Sequence, residues 1–405
     1  MLELPLLRAG AEAVAFPESI EQILRAVRKH LGMEVGFVAE FSADRRVFRH
    51  VDADGDSPIA PGDSDPLNES YCHWIAEGQL PQLIQDPADH PLTKRFAATT
   101  TLPVGAHLSV PIRLRDGRTY GTFCCFSRRP DRSLTERDMA TMRAFADLAA
   151  QQIQLQTDME AAQRAKQARI RSVLATRGLD IHFQPAVRID TPQVAFVEAL
   201  ARFRPEPNRS PDEWFAEAHA VGLGVELELM AARQALGHLA GFPPGTALSI
   251  NMSPAALISE RTLALLAPAP LNRLIIEVTE HSAVERYGEL LAALAPLRKR
   301  GLRLAVDDAG AGYASLKHVL QMSPDIIKLD MSLSRDIHRD PARKALAAAM
   351  IHFAAAIGSE LVAEGVESPR ELQSLRELGI TIVQGHLFAR PGPPADVQLD
   401  LASAA

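Results

Sequence analysis

The chain has 405 residues, 47% of them hydrophobic and 23% charged, with a formal net charge of −7. That balance is the one of a globular protein of two or three domains, and the negative charge excludes a non-specific binder of polymeric nucleic acid or of an anionic membrane. Its three cysteines, Cys72, Cys124 and Cys125, form neither a metal-type spacing nor a disulfide framework; with no visible signal peptide and no apolar run of the ~20 residues a spanning helix needs, a cytoplasmic location is expected.

Residues 1–16 carry little pattern. Ile20, Ile23, Leu24, Val27 and Leu31 then recur at helical spacing, and Gly32 ends the run. Val35, Phe37, Ala39 and Phe41 alternate as in a strand, and 47–51 can pair back across Asp44-Arg45. The Asp-, Gly- and Pro-rich stretch 52–65 reads as loop. A short helix over 68–77 holds Tyr71, Cys72, His73 and Trp74. Two strands, 106–114 and 119–126, flank Asp116-Gly117, a hairpin signal. Ser133 and Glu136 have the spacing of a capping box opening a long helix. Helix, antiparallel strands and helix in that order predict an α+β domain.

This part resembles a GAF domain through Ser70-Tyr-Cys-His73, Gln79-Leu-Pro81 with Ile84-Gln-Asp86, Val110-Pro-Ile112 and Gly121-Thr-Phe-Cys124. The resemblance implies a module that senses a small ligand or another signal, or that dimerises, so a homodimer is expected. Cys72 is read as a part-buried structural cysteine rather than a chromophore anchor, and Cys124 and Cys125 as small strand residues in or near the core. From 134 to about 177 the pattern is helical, and 151–171 is too polar on every face for a core helix. The expected layout is a sensor domain over 1–155, a helical linker over 156–177 and a second domain over 178–405.

After Gly178, short apolar runs alternate with helical segments, which predicts a largely parallel sheet closed as a TIM-type (β/α)8 barrel, an α/β fold. Nearly every run ends on a polar residue: Glu198 and Arg202, Asn251, Glu277 and Glu280, Asp307-Asp308, Lys328 and Asp330, Glu364 and Glu367, and Gln384. In such a barrel the strand ends converge on one face. Carboxylates gathered there need cations between them, and divalent ions are the economical explanation. Two such ions about 4 Å apart are a usual device for phosphoester hydrolysis.

Over about residues 168–395 the chain resembles the EAL family of cyclic di-GMP phosphodiesterases. The signature Glu198-Ala-Leu200 is followed in family order by Arg202, Asn251-Met-Ser253, Glu277-Val-Thr-Glu280, Asp307-Asp308 with Gly310, Lys328-Leu-Asp330, Ala363-Glu-Gly-Val-Glu367 and Gln384-Gly385. The resemblance implies hydrolysis of cyclic di-GMP to linear pGpG with two Mg²⁺ or Mn²⁺ ions. It implies Glu198, Asn251, Glu277, Asp307, Asp308 and Glu364 as metal ligands, with Asp307 bridging. Glu364 and Lys328 are the implied catalytic groups, and Gln184, Leu200, Arg202 and Gln384 the substrate contacts. Glu280, Asp330 and Glu367 are expected to brace their neighbours. The family pattern has Phe and Thr where Ala309 and Ala311 stand, and Ala-Glu where Ala218-His219 stands. A loop of small residues is therefore expected directly after Asp308. No cyclase motif accompanies the domain. The competing reading is a non-catalytic cyclic di-GMP receptor that signals through partner proteins.

Overall fold

The computed structural model describes residues 16–96, 99, 102, 104–191, 193–278, 287–309 and 319–397. The chain divides into two compact units, Met1–Ala162 and Gln163–Ala405. Among the described residues, no helix is long and apolar enough to cross a membrane.

The first unit is built on a six-stranded antiparallel sheet. Its strands are β1 (Val35–Ser42), β2 (Arg45–Ala53), β3 (Ser64–Pro66), β4 (Leu83–Ile84), β5 (Ala106–Arg113) and β6 (Thr119–Ser127), in the spatial order β3-β2-β1-β6-β5-β4. Gly117, at φ +85°, makes the predicted tight turn between β5 and β6. The two-residue period of a strand gives the sheet two different faces. One carries Val38, Leu108, Val110, Phe123 and Cys125 against the helix Phe16–His30 and against Met139, Met142 and Ala146. The other carries Phe37, Phe48, Cys124 and Phe126 with Tyr71, Cys72 and Ile75 of the helix Tyr71–Ala76. Adjacent Cys124 and Cys125 therefore lie in different cores, and Cys72, expected to be part-buried, is fully buried.

A helix runs from Glu136 to Thr176. Its capping pair is Thr135 with Asp138, not Ser133 with Glu136: Thr135 N and Oγ1 both donate to Asp138 Oδ2 at 2.8 Å, while Ser133 bonds Asp131. The sparse apolar positions separate by burial. Ile153 and Ile170 are buried, whereas Met159 is 60% exposed.

The second unit is a closed eight-stranded barrel of β7 (Leu179–Arg188), β8 (Gln193–Phe203), β9 (Ala247–Met252), β10 (Leu274–Val278), β11 (Arg303–Ala309), β12 (Ile326–Leu329), β13 (Glu360–Ala363) and β14 (Ile382–Gln384). Six neighbouring pairs, β8 to β9 and onward to β14, are parallel. The expected uniform (β/α)8 pattern fails at β7, which runs antiparallel to both β8 and β14. The reason is local: only four residues separate β7 from β8 in the sequence, far fewer than the dozen or so a parallel crossover requires.

Inside the barrel, residues two apart along a strand face the same way. One interior layer is apolar: Ala186, Phe196, Ala247, Ile275, Ala305, Ile326, Val362 and Ile382 pack together. Two positions nearer the mouth stand Gln184, Glu198, Ser249, Glu277, Asp307, Lys328 and Gln384 on the same strands, and Glu364 just past the end of β13. A second, larger core lies between the outward strand residues and the helices. Barrel closure thus stacks a ring of polar groups directly on an apolar plug.

Close backbone packing holds the end of β14 in this ring. Val366 N donates to Gln384 O at 3.1 Å, and a Cβ on Gly385 would meet Val366 O at 2.1 Å. Gly385→Ala should therefore cost about 1–3 kcal/mol of stability, as overpacking of a tight site does. Chemical denaturation checks this, and an unchanged midpoint would mean that the contact opens freely.

Candidate active site

Lys328 is the centre of the polar layer. Only 1% of its side chain is exposed, and its Nζ lies 2.6 Å from Glu364 Oε1, 2.8 Å from Glu277 Oε2, 3.3 Å from Glu198 Oε2 and 3.4 Å from Asp307 Oδ1. These five residues come from β8, β10, β11, β12 and the residue after β13. Glu198 stands mid-strand rather than at a strand end. However, β8 pairs with β9 only over 196–199, so Glu198 still lies near the end of the parallel ladder.

Side-chain amides complete the ring. Asn251 Nδ2 donates to Glu198 Oε1 at 2.9 Å, and Gln384 Nε2 donates to Glu198 Oε2 at 2.7 Å and to Gln184 Oε1 at 3.2 Å. Gln184 in turn donates to the Ala389 carbonyl. Ser249, which the sequence reading did not single out, donates from Oγ to Glu277 Oε1 at 2.6 Å. The signal that finds it is the two-residue step from Ala247 through Ser249 to Asn251. Gln384 Oε1 is buried without a hydrogen-bond partner, an acceptor left for a donor at the mouth.

Four carboxylates around one ammonium cannot all ionise cheaply in a buried site. Burial opposes charge on Lys328, but Asp307, Glu198, Glu277 and Glu364 together hold it well above its ordinary range as a cation. Burial also opposes charge on Glu198, yet the Lys328 charge and the Gln384 and Asn251 amides keep it below the usual carboxylate value. Burial and the Glu198 charge push Glu277 up to about 8 against the pull of Lys328. Burial, with Asp307 and Glu198 and against Lys328, likewise raises Glu364 well above the carboxylate range. The arrangement is short of positive charge. Its donors are carboxylate and amide oxygens, the set that hard divalent cations prefer, so the residues fit such ions.

The other expected site residues are dispersed. Leu200 and Arg202 lie further along β8 on the face that carries Glu198. Arg202, held below its usual range by burial, donates from Nη1 to the Ala201 carbonyl. Asp330 caps the short helix Met331–Ser334, accepting from Ser332 N. Glu367 forms a surface pair with Arg335 at 2.7 Å. Asp308 belongs to β11, but its side chain is outside the description, and Glu280, Gly310 and Ala311 lie outside the described residues. Ala309, expected to open a loop, instead closes β11: it is buried, pairs with Leu329, and accepts from Asp330 N. His219 Nε2 lies 2.7 Å from Glu228 Oε1, and Glu228 Oε2 accepts from Ser253 N, two residues beyond Asn251.

Residues 163–391, more than half of the chain, match the model of the EAL domain, and residues 15–154 match that of the GAF domain. The cyclic di-GMP phosphodiesterase NbdA of Pseudomonas aeruginosa is 33% identical over 242 residues, which cover 56% of this chain and 31% of NbdA. The cyclic di-GMP phosphodiesterase RocR of the same organism is 31% identical over 243 residues, 54% of this chain and 59% of RocR. The chain thus spans less than two thirds of the length of these curated relatives. Among solved structures, the PaMucR phosphodiesterase in complex with cyclic di-GMP is similar with a TM-score of 0.51 at 26% identity, covering 56% of this chain and 98% of that one. The match over 163–391, carried on a barrel whose mouth gathers the signature residues, means that the chain belongs to the EAL domain family.

Proposed function

We propose that the barrel mouth hydrolyses one phosphodiester bond of cyclic di-GMP, giving linear pGpG. The observation that carries this reading is the cluster of Glu198, Glu277, Asp307 and Glu364 around Lys328. The names of NbdA and RocR support the substrate. Glu198, Asn251, Glu277, Asp307, Asp308 and Glu364 would hold two divalent ions, Mg²⁺ or Mn²⁺, with Asp307 as a ligand they would share. When bound, such ions supply an attacking water of lowered pKa and neutralise charge on the phosphoryl oxygens.

The chain's own groups do the rest. Glu364, with 18% of its side chain exposed, faces the mouth and takes the proton of the attacking water. The water oxygen bonds to phosphorus, the bond from phosphorus to the ribose 3′ oxygen breaks, and that oxygen leaves as a hydroxyl on receiving the proton that Glu364 took up. Lys328 holds the carboxylates in place and offers positive charge toward the phosphoryl oxygens. Gln384, through its unpartnered Oε1, takes a donor of the substrate, and Gln184 and Leu200 contact the substrate beside it. Arg202 offers a guanidinium to a phosphate. Asp330 and Glu367 brace the turns beside Lys328 and Glu364, and Glu280 would brace neighbouring ligands.

The unit over 1–155 is the regulator, through a small ligand or another signal, and the helical stretch over 156–177 is the link to the catalytic domain at 178–405. We read the chain as a cytoplasmic homodimer. Exposed Leu148, Leu155 and Met159, in one register of the helix Glu136–Thr176, support a paired helix, and buried free cysteines support a reducing compartment.

The direct test is incubation of the pure chain with cyclic di-GMP and Mg²⁺ or Mn²⁺, with chromatography for pGpG. Binding without turnover would favour the receptor reading instead. Glu364→Gln keeps the shape of the side chain and removes the base. Turnover should fall by roughly 10²-fold or more while calorimetric binding of cyclic di-GMP persists. Undiminished turnover rules out the role of Glu364.

A pH dependence also follows. A carboxyl raised from 4.5 to about 8, as Glu277 is, stabilises the ion-free fold fully below its unfolded value. That contribution is lost as pH rises through the folded value, and divalent ions select the ionised form. The ion-induced rise in melting temperature should therefore be larger at about pH 9 than at about pH 6. An equal rise at both would remove Glu277 from the ligand set.

A further inference from the structure

A second cluster lies in the first unit, far in sequence from the barrel motifs. Cys72 Sγ stands 3.4 Å from Cys124 Sγ although 52 residues separate them. The two sulfurs and a ring nitrogen of His107 all lie within 4.8 Å of one another, and all three residues are buried. We propose that Cys72, Cys124 and His107 hold a divalent ion of the zinc class.

The surroundings of the sulfurs support it. Arg46 Nη1 donates to Cys72 Sγ at 3.1 Å, while the hydroxyls of Ser109 and Thr122 each lie 3.2 Å from Cys124 Sγ. A guanidinium and two hydroxyls are what a pair of buried thiolates needs around it, and outer partners of this kind orient metal ligands. Arg46 is fixed in that pose: its Nε donates to Asp65 Oδ1 at 2.9 Å, and its guanidinium lies 4.6 Å from the centroid of the Phe48 ring.

Charge balance points the same way. Arg46 and Asp65 cancel, and two thiolates cancel a dication, so the loaded site carries no net charge into the core. Without an ion, two sulfurs 3.4 Å apart cannot both ionise. Two sulfurs on one tetrahedral ion, at bonds of about 2.3 Å, sit about 3.8 Å apart, so only a few tenths of an ångström of adjustment is required.

His107 has one ring nitrogen beside the two sulfurs and also carries an unpaired one. Its Nδ1 is buried with no hydrogen bond, a situation that is rare in native interiors. The ring borders a cavity of about 20 Å³ also lined by Arg46 and Tyr71. That volume holds one water.

Co²⁺ is the probe for the test, added to the full chain purified under reductant without chelator. Thiolate ligation gives an intense near-ultraviolet charge-transfer absorption that the oxygen donors of the barrel cannot produce, so the two metal sites are distinguished. The expected result is this band at about one ion per chain, displaced by Zn²⁺, with a rise in the melting temperature of the first unit. Cys72→Ser should abolish the band. His107→Gln, which keeps both sulfurs, should shift the Co²⁺ titration to at least tenfold higher concentration. Absence of the band in the wild-type chain overturns the proposal whether or not a variant folds. So does a Cys72–Cys124 disulfide that forms without retained metal.

Discussion

The ammonium of Lys328 is the interaction on which the second unit depends. It lies buried within 3.4 Å of four carboxylates drawn from separate parts of the barrel. Removing it leaves mutually repelling charges in a low-dielectric site. Keeping it alone leaves too little positive charge. The cluster is thus stable enough to fold, with Glu277 and Glu364 driven toward the protonated form, yet electrostatically incomplete. That incompleteness is the physical content of a site prepared for divalent cations.

What holds such a cluster together is the layer beneath it. The plug of Phe196, Ile275, Ile326, Val362 and Ile382 fills the barrel interior and fixes the strands laterally. Each of these residues is followed two positions later by a member of the polar ring, so the same strand register that buries the plug aims the ring. β7, running backward between β14 and β8, contributes Gln184 to the ring without breaking it, because alternation works in either strand direction. Supporting bonds from Ser249, Asn251 and Gln384 then lock the rotamers of the carboxylates.

The first unit uses the same alternation for another end. Its sheet sends Cys125 into one core and Cys124 into the other. There Cys124 meets Cys72 from a helix and His107 from β5, next to an arginine already neutralised by Asp65. Among the described residues the chain thus has one buried centre rich in oxygen and one rich in sulfur, each set against an apolar layer. Ligand softness would separate the ions that two such centres could take.

Local order in the sequence determined much of this. The strand runs, the Asp116-Gly117 hairpin and the series of charged residues from Glu198 to Gln384 are all visible because each depends on neighbours a few positions away. The gathering of Glu198, Glu277, Asp307, Lys328 and Glu364 could be anticipated from strand order, since a closed barrel must bring its strand ends together. Other features depended on long-range geometry. The first barrel strand also meets β14, some two hundred residues on, in antiparallel register, and a short apolar run reads alike in either direction. Ala309 looked like the start of a flexible stretch, but pairing with Leu329 makes it a strand residue. Cys72 and Cys124 showed no metal spacing, because a helix and a strand bring them together through the core rather than through the chain. Periodicity states which way a side chain faces; only the packed fold decides what it meets there.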